Sequence, residues 1–573
     1  MINGRRPLVY ACASMPVPDS PDSRSRAPVW LLLAGALACL GYFAVEAWLL
    51  SFDLGFPLDD TWIHLQFARN LAAGQGLSYN PGELVTGSTA PLWTALLALL
   101  IPLPGNVVVW TKLLGVVLHI AGIDAVWRLA RELGLSRGLA ALAAGLTLAT
   151  SWLVWSALSG MEIPLFVLLS VWGMTLHLRE RAASLEGPPR PPLSFALFAA
   201  AALARPEGLL LLVLAAVDRC LVFEREGEAG EERLRWRRPD ARAVLIGLAL
   251  AACALVGPLL FYRWAGGSFL PTTFAAKNGD LRRWLPDLQY IYMVAGILFR
   301  PQPWMTLTAG AGVLALVERL GGPPGPRGDR GLLPALWLIG LPLAYSIMSP
   351  TGKGMIAGNF GRYYFPLFPV LVVLGVLGLE RAARVLGPRV RAGRLGLPLG
   401  ALLVALILWP TIGSLVQGAG RYAQNVANVQ DSDVAIARWL APRLAPEAVL
   451  AVNDIGAIKF LLPNQIVDLA SIATPEIRRE VGRDTAAGMS WSDAMTAAIA
   501  RRQPDYIVVF PSWVPFLARD PRFPPVRSLA IPNNITMGGD EIVVYATPWT
   551  RYPLREAAPT AAGPSPAPPG PGG

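Results

Sequence analysis

The chain has 573 residues, of which 54% are hydrophobic and only 15% charged, with a mean hydropathy of +0.45. Soluble domains of this length carry more charge, so the composition is that of a polytopic membrane protein, whose first partner is the lipid bilayer. A net charge of +10 would suggest nucleic acid in a soluble protein, but here the excess is arginine in short loops between apolar runs. That pattern is an orientation signal for a membrane protein, and no nucleic-acid partner is expected.

Residues 1–28 form a polar, arginine-bearing tail expected in the cytoplasm, and the run from Val29 to Leu50 follows without a small-residue cleavage site, so it reads as a retained first span. Its Glu46 must be paired or lie near the span's end, because a bare charge in lipid is costly. The stretch from Pro57 to Trp93 comes next, headed by the adjacent acids Asp59 and Asp60. Leu58, Trp62, Leu65, Ala68, Asn70 and Leu71 recur at nearly helical spacing, which predicts an amphipathic helix along the lipid boundary rather than a core helix. Gly74, Gly76 and the Asn80-Pro81-Gly82 turn end it. The apolar run Pro91 to Leu103 is about 20 Å long as a helix, short of the roughly 30 Å hydrocarbon core, and is expected not to cross.

Later apolar runs predict spans near residues 106–128, 138–157, 162–179, 192–204, 207–223, 243–264, 302–318, 331–348, 364–379 and 396–414, about eleven spans with the first. The arginine-rich loops then fall on the cytoplasmic side, while loop 51–105 and everything after about 415 lie outside. The spanning module is thus 29–415. From about residue 430 the composition becomes that of a soluble domain. Apolar runs at Val449–Val452, Ile466–Leu469, Tyr506–Phe510 and Ile542–Tyr545 alternate with helical stretches around Glu476–Val481 and Trp491–Arg501, predicting a small α/β domain over 430–548. The Pro-, Ala- and Gly-rich tail 549–573 is expected to be disordered. The four cysteines, Cys12, Cys39, Cys220 and Cys253, suggest no disulfide framework.

This topology gathers polar groups on the outer face: Asp59, Asp60 and His64; Glu162; Arg205; Lys277 and Asn278; Arg362 and Tyr363. A carboxylate beside a second carboxylate at a partly desolvated surface is raised in pKa and suited to accept a proton from a hydroxyl. Lys277 and Arg362 could hold a phosphate, the arginine through a bidentate fork. Such a set fits an anionic, lipid-linked substrate. The plainer alternatives are that Asp59 or Asp60 caps the helix, that His64 is a structural partner of Asp60, and that Lys277 and Arg362 anchor lipid headgroups. Adjacent Asp59 and Asp60 could bind a divalent metal, but no complete ligand set is evident. No P-loop, G-x-S-x-G, H-E-x-x-H or paired C-x-x-C occurs, so nucleotide-driven pumps, serine hydrolases and zinc peptidases lack their parts.

The run DDTWIHLQFARNLAAGQGLSYNPGE with TGSTAPLW resembles the first external loop of GT-C superfamily glycosyltransferases, in particular the mycobacterial arabinofuranosyltransferase branch. SGMEIPLF (159–166), ARPEGLLL (204–211), LPTTFAAK (270–277), GRYYFPLFP (361–369) and the opening of the C-terminal domain (452–477) are similar to further segments of that family. The resemblance implies a multi-pass enzyme of the bacterial cytoplasmic membrane, its site on the extracytoplasmic side. It would move a sugar from a polyprenyl-phosphate donor to a glycan, lipid or protein acceptor with inversion, Asp59 as base, Asp60 assisting, and Lys277 and Arg362 facing the donor phosphate. Thr272, Ala275 and Ile163 depart from the family pattern, which bears on the donor sugar rather than the reaction type. The rival is a non-catalytic carrier or flippase for polyprenyl-linked sugars, which would need polar groups through the membrane depth.

Overall fold

A computed structural model describes residues 26–186, 191–226, 233–269, 271, 285–323, 328–348, 361–390 and 396–556. Lys277, Asn278, most of the N-terminal tail and residues 557–573 of the C-terminal tail lie outside them. The helices in chain order are α1 (Val29–Leu49), α2 (Asp60–Ala72), α3 (Pro91–Ala98), α4 (Val107–Glu132), α5 (Arg137–Leu148), α6 (Ser151–Leu158), α7 (Ile163–Glu186), α8 (Ser194–Ala204) and α9 (Gly208–Cys220). A hairpin, β1 (Phe223–Glu226) and β2 (Arg233–Trp236), leads to α10 (Ala241–Gly266), α11 (Leu288–Phe299), α12 (Pro303–Val317) and α13 (Leu333–Met348). A 3₁₀ turn (Arg362–Leu367) then opens α14 (Phe368–Val390), and α15 (Gly396–Val429) follows.

Among the described residues, four helices are long and apolar enough to cross a membrane: Val29–Leu49, Val107–Glu132, Ala241–Gly266 and Arg362–Val385. The α5–α6 pair, bent by 57°, would make a fifth span. The bend frees the Leu146 carbonyl, which Thr150 and Gln302 satisfy. Each expected span coincides with a helix, whereas α11 was not foreseen. Helix α3 has 8 residues, about 12 Å, too short to cross.

The C-terminal region is an α/β unit, as its alternating runs suggested. A π-helical turn (Gln430–Val434) and α16 (Ala435–Leu440) lead into β3 (Leu450–Val452), α17 (Gly456–Leu461), β4 (Ile466–Asp468), α18 (Pro475–Ala486), α19 (Trp491–Arg502), β5 (Tyr506–Val509), α20 (Pro515–Ala518), β6 (Pro525–Ala530) and β7 (Glu541–Ala546). The sheet order is β4-β3-β5-β7-β6; β3 runs parallel to β4 and β5, while β7 is antiparallel to β5 and β6. Side chains alternate between the two faces. Ala451, Ile507, Val509 and Val543 meet Ile477, Val481, Ala494 and Ile499 of α18 and α19.

The opposite face of the sheet is covered by the first loop. Leu450, Val452, Val508 and Val544 pack with Ile63 and Phe67 of α2 and with Tyr79 and Val85 beyond it. Trp62, Leu65 and Ala68, on the other side of α2, join the core of the helical bundle. Helix α2 is therefore a shared layer between two cores, and the expectation of a helix along the lipid boundary is corrected: residues 61–68 and Asn70 are all buried. The C-terminal unit covers the face that the pattern assigned to water. Its polar members are used internally, Gln66 donating to the Tyr79 carbonyl (2.8 Å) and Asn70 to that of Ser78 (2.9 Å). Full burial of Phe67 alone stabilises this layer by about 1.5–3 kcal/mol.

Candidate active site

The two acids at the head of α2 take separate partners. Asp59 stands at the N-cap position with helical backbone angles (φ −63°, ψ −33°), yet its side chain makes no capping bond to α2. Instead its carboxylate crosses to the C-terminal unit, accepting the Gly456 N–H on Oδ2 (2.6 Å) and the Ala457 N–H on Oδ1 (2.7 Å) at the start of α17. Burial pushes its pKa up to about 7, with the charges of Asp60 and Asp468 adding to the rise and the two amides opposing it. Asp60 faces the bundle, in an ion pair with Arg362, and about a third of its side chain is exposed.

A chain of charges continues from this pair. The Tyr363 ring lies under two guanidiniums, its centroid 5.6 Å from that of Arg362 and 5.4 Å from that of Arg205, arrangements that favour desolvated cations. Arg205 donates to Glu162 Oε1 (2.5 Å) and to Glu207 Oε1 (2.7 Å), and Glu207 also accepts from the Tyr345 hydroxyl (2.7 Å). His64 Nε2 lies 3.5 Å from Glu162 Oε2, which closes the circuit back onto α2. Arg362 Nη1 is buried with no hydrogen-bond partner among the described residues, and in such surroundings an unmatched guanidinium nitrogen is costly unless an anion meets it.

Local folding sets these positions. Arg205 and Glu207 flank a proline in the tight α8–α9 turn, where Arg205 leaves the helix in extended conformation. Glu162 follows Gly160, whose φ of +72° and close neighbours Thr61 and Phe56, 2.4 and 2.8 Å from where a Cβ would stand, admit only glycine. Thr61 donates to the Ser159 carbonyl (2.7 Å) and Trp93 to that of Gly160 (3.0 Å), which ties the start of α2 and α3 to this turn. Beneath them Glu46 is paired with Lys112, which also donates to Tyr422 (2.8 Å). This is the partner that the charge inside the first span required.

Of the residues singled out from the sequence, Asp59, Asp60, His64, Glu162, Arg205, Arg362 and Tyr363 come together, while Lys277 and Asn278 lie outside the described residues. The sequence did not mark Tyr345, Gly456 and Ala457. A glycine just after a strand, opening a short helix, was the available signal for the last two. The carboxylates of Asp59 and Asp60 are engaged by different elements and do not converge on one cation, and among the described residues no group of three or more acids, histidines or cysteines is arranged to hold a metal.

Comparison with solved structures shows what this architecture is. ArnT from Cupriavidus metallidurans bound to undecaprenyl phosphate aligns over 90% of this chain and 98% of its own, with a TM-score of 0.53 at 15% identity. The fold is of the GT-C type. The Archaeoglobus fulgidus oligosaccharyltransferase aligns over 84% of this chain and 69% of its own (TM-score 0.53, 13% identity). AglB from the same organism, in complex with an inhibitory peptide and a dolichol-phosphate, aligns over 91% and 77% (TM-score 0.51, 11% identity). A family described as "Domain of unknown function (DUF8728)" matches residues 421–552. No curated protein matches the chain.

Proposed function

We propose that this GT-C protein is a membrane glycosyltransferase that moves a sugar from a polyprenyl-phosphate donor to an envelope glycan, lipid or protein acceptor, on the extracytoplasmic side of the cytoplasmic membrane. The observation that carries the reading is the placement, on adjacent residues, of a carboxylate with raised proton affinity, Asp59, and of Asp60, which holds Arg362, one of two desolvated guanidiniums, with Arg205, stacked on one ring. The first suits a base and the second suits a phosphate. The lipid phosphates bound by the structural neighbours support the same substrate class.

In the proposed reaction the acceptor hydroxyl attacks the anomeric carbon while its proton passes to Asp59. The bond from that carbon to the phosphate oxygen breaks, and the electron pair leaves with the lipid phosphate. A single displacement of this kind inverts the anomeric configuration. Arg362 neutralises the departing charge, exchanging its contact with Asp60 for one with phosphate, and Arg205 reinforces the field through Tyr363. Lys277 joins the phosphate side on the strength of the sequence resemblance, which also carries the narrower likeness to the arabinofuranosyltransferase branch. A second assignment, with Asp60 as base, has one observation in its favour: Asp60 is the more exposed of the two acids.

The test uses purified protein in vesicles with a polyprenyl-phosphate sugar and envelope extract as acceptor source, alongside mass spectrometry of envelope glycans from a deletion strain. Transfer with release of lipid phosphate, and a glycan lost on deletion, are expected. Movement of the lipid between leaflets with no transfer would establish the carrier reading instead.

A further inference from the structure

We infer that the C-terminal unit is a working part of the catalytic centre: the backbone amides of Gly456 and Ala457 clamp the Asp59 carboxylate, and Gly456 is a positioning residue. The inference rests on the reaction proposed above for its chemical meaning. The contact itself stands on geometry.

Three independent features converge on it. Both carboxylate oxygens of Asp59 are engaged, one by each amide, which fixes the plane of the group as well as its place. A carboxylate has about four lone-pair sites, so two remain to accept a proton. Next, Gly456 has no room for a side chain. A Cβ there would stand 2.2 Å from the Asp59 carbonyl oxygen and 2.7 Å from Oδ1, and its backbone angle is an ordinary one, so the need for glycine is contact alone. Finally, the region around the clamp is locked to the first loop by other polar bonds. Tyr79 donates to the Ile455 carbonyl (2.7 Å), Arg69 to that of Phe460 (2.8 Å), and Asn80 exchanges two bonds with Ile466 (3.0 and 3.1 Å). The sheet's core on that side is completed by Ile63, Phe67, Tyr79 and Val85. A domain that shares a core layer with the helix bearing the acid, and places two N–H groups on that acid, sets both its position and its proton affinity.

Clamping has a definite sign. The amides stabilise the ionised carboxylate, so they hold its pKa below the level burial alone would set. Gly456→Ala in the full-length protein should therefore lower kcat, by about 10²-fold if the carboxylate moves by an ångström, leave the donor KM nearly unchanged, and shift the acid limb of the pH–rate profile upward. A merely structural glycine would lower the melting temperature and leave the limb in place. Should Gly456→Ala fail to fold, Ala457→Pro, in the first turn of α17, replaces one donor by a ring carbon set against the carboxylate, and the same upward shift is expected. A folded variant with kcat and acid limb unchanged overturns the inference, while transfer by the wild type leaves the reaction standing. If the wild type transfers nothing, the reaction falls, and hydrogen exchange of the peptide containing Gly456 and Ala457 decides the clamp: slow exchange in the wild type and fast exchange in Asp59→Ala sustain it, and equal exchange in both refutes it.

Discussion

Asp59→Asn separates chemistry from architecture. The amide keeps one oxygen to accept from Gly456 or Ala457 but turns an NH₂ toward the other backbone donor. One charge-assisted bond is thereby lost, a cost of about 1.5–3 kcal/mol. Against this, the native acid is raised from 3.8 to about 7, so holding it ionised above pH 7 costs the folded state about 4 kcal/mol, a penalty the neutral amide does not bear. The two effects nearly offset, and the variant should fold with a melting temperature within a few degrees of the wild type at pH 8. Transfer cannot be offset in this way, because an amide accepts no proton. Loss of the base should reduce kcat about 10²–10⁴-fold. The assay is the initial rate from a saturating lipid-linked donor at pH 8, with tryptophan fluorescence melting on the same preparation. A folded variant within a few-fold of the wild-type rate would place the base elsewhere, with Asp60 and Glu162 next in line.

Because Asp59 and Asp468 are both raised, to about 7 and about 6, chiefly by burial, the unfolded state releases their protons first as pH rises. Stability should then fall as pH rises from about 4 through 7, and the buried Asp433 and Asp454, whose pKa values are raised as well, carry the fall further, while activity rises through about pH 7; melting and rate profiles that move together would refute the assignment. Removing the neighbouring charge in Asp60→Asn should move the acid limb of the rate profile to lower pH, measured across pH 5 to 9. Arg362→Lys keeps the charge but loses the fork, and should raise the donor KM about tenfold, the equivalent of roughly 1.4 kcal/mol, with a smaller effect on acceptor KM. Topology can be checked with single cysteines in a background lacking the native four. One at Ser490 should react with an impermeant reagent from outside, and one at Ser136, also exposed, should be protected until the membrane is opened.

Most of the helices, four of the five strands of the C-terminal sheet and most of the polar cluster of the candidate site could be seen in the sequence because each is signalled by a local pattern. Apolar runs gave the helices, and short apolar runs placed β3, β4, β5 and β7 to within a residue or two. The edge strand β6 was missed because its side chains are largely exposed, which leaves no alternation to detect. Helix α15 continues to Val429 past the end of its apolar stretch because Asn425 and Asn428 find partners in Thr536 and Pro532. Sequence distance hid the rest. The pairing of Glu46 with Lys112, of Asp60 with Arg362, and of Asp59 with Gly456 joins residues that no periodicity connects.

The doubled acid shows how far local rules reach. Ser, Asp or Asn before a helix ordinarily caps it, and that reading predicts one acid turned back on α2 and the other left in water. Neither does this. Adjacent residues entering a helix point about 100° apart, since 3.6 residues complete a turn, so one of two neighbouring acids can face the sheet while the other faces the bundle. Asp59 meets backbone amides and Asp60 meets a guanidinium. The environments differ accordingly: burial keeps the proton affinity of Asp59 high although two backbone dipoles oppose it, whereas Asp60 lies at a more open place against a full positive charge. In the proposed reaction the two identical side chains divide into a proton acceptor and a counter-ion that yields its cation to phosphate. On that reading, exchanging the surroundings rather than the residues should exchange the roles, and the C-terminal unit, whose amides meet Asp59, would serve the chemistry of the first loop as much as its packing.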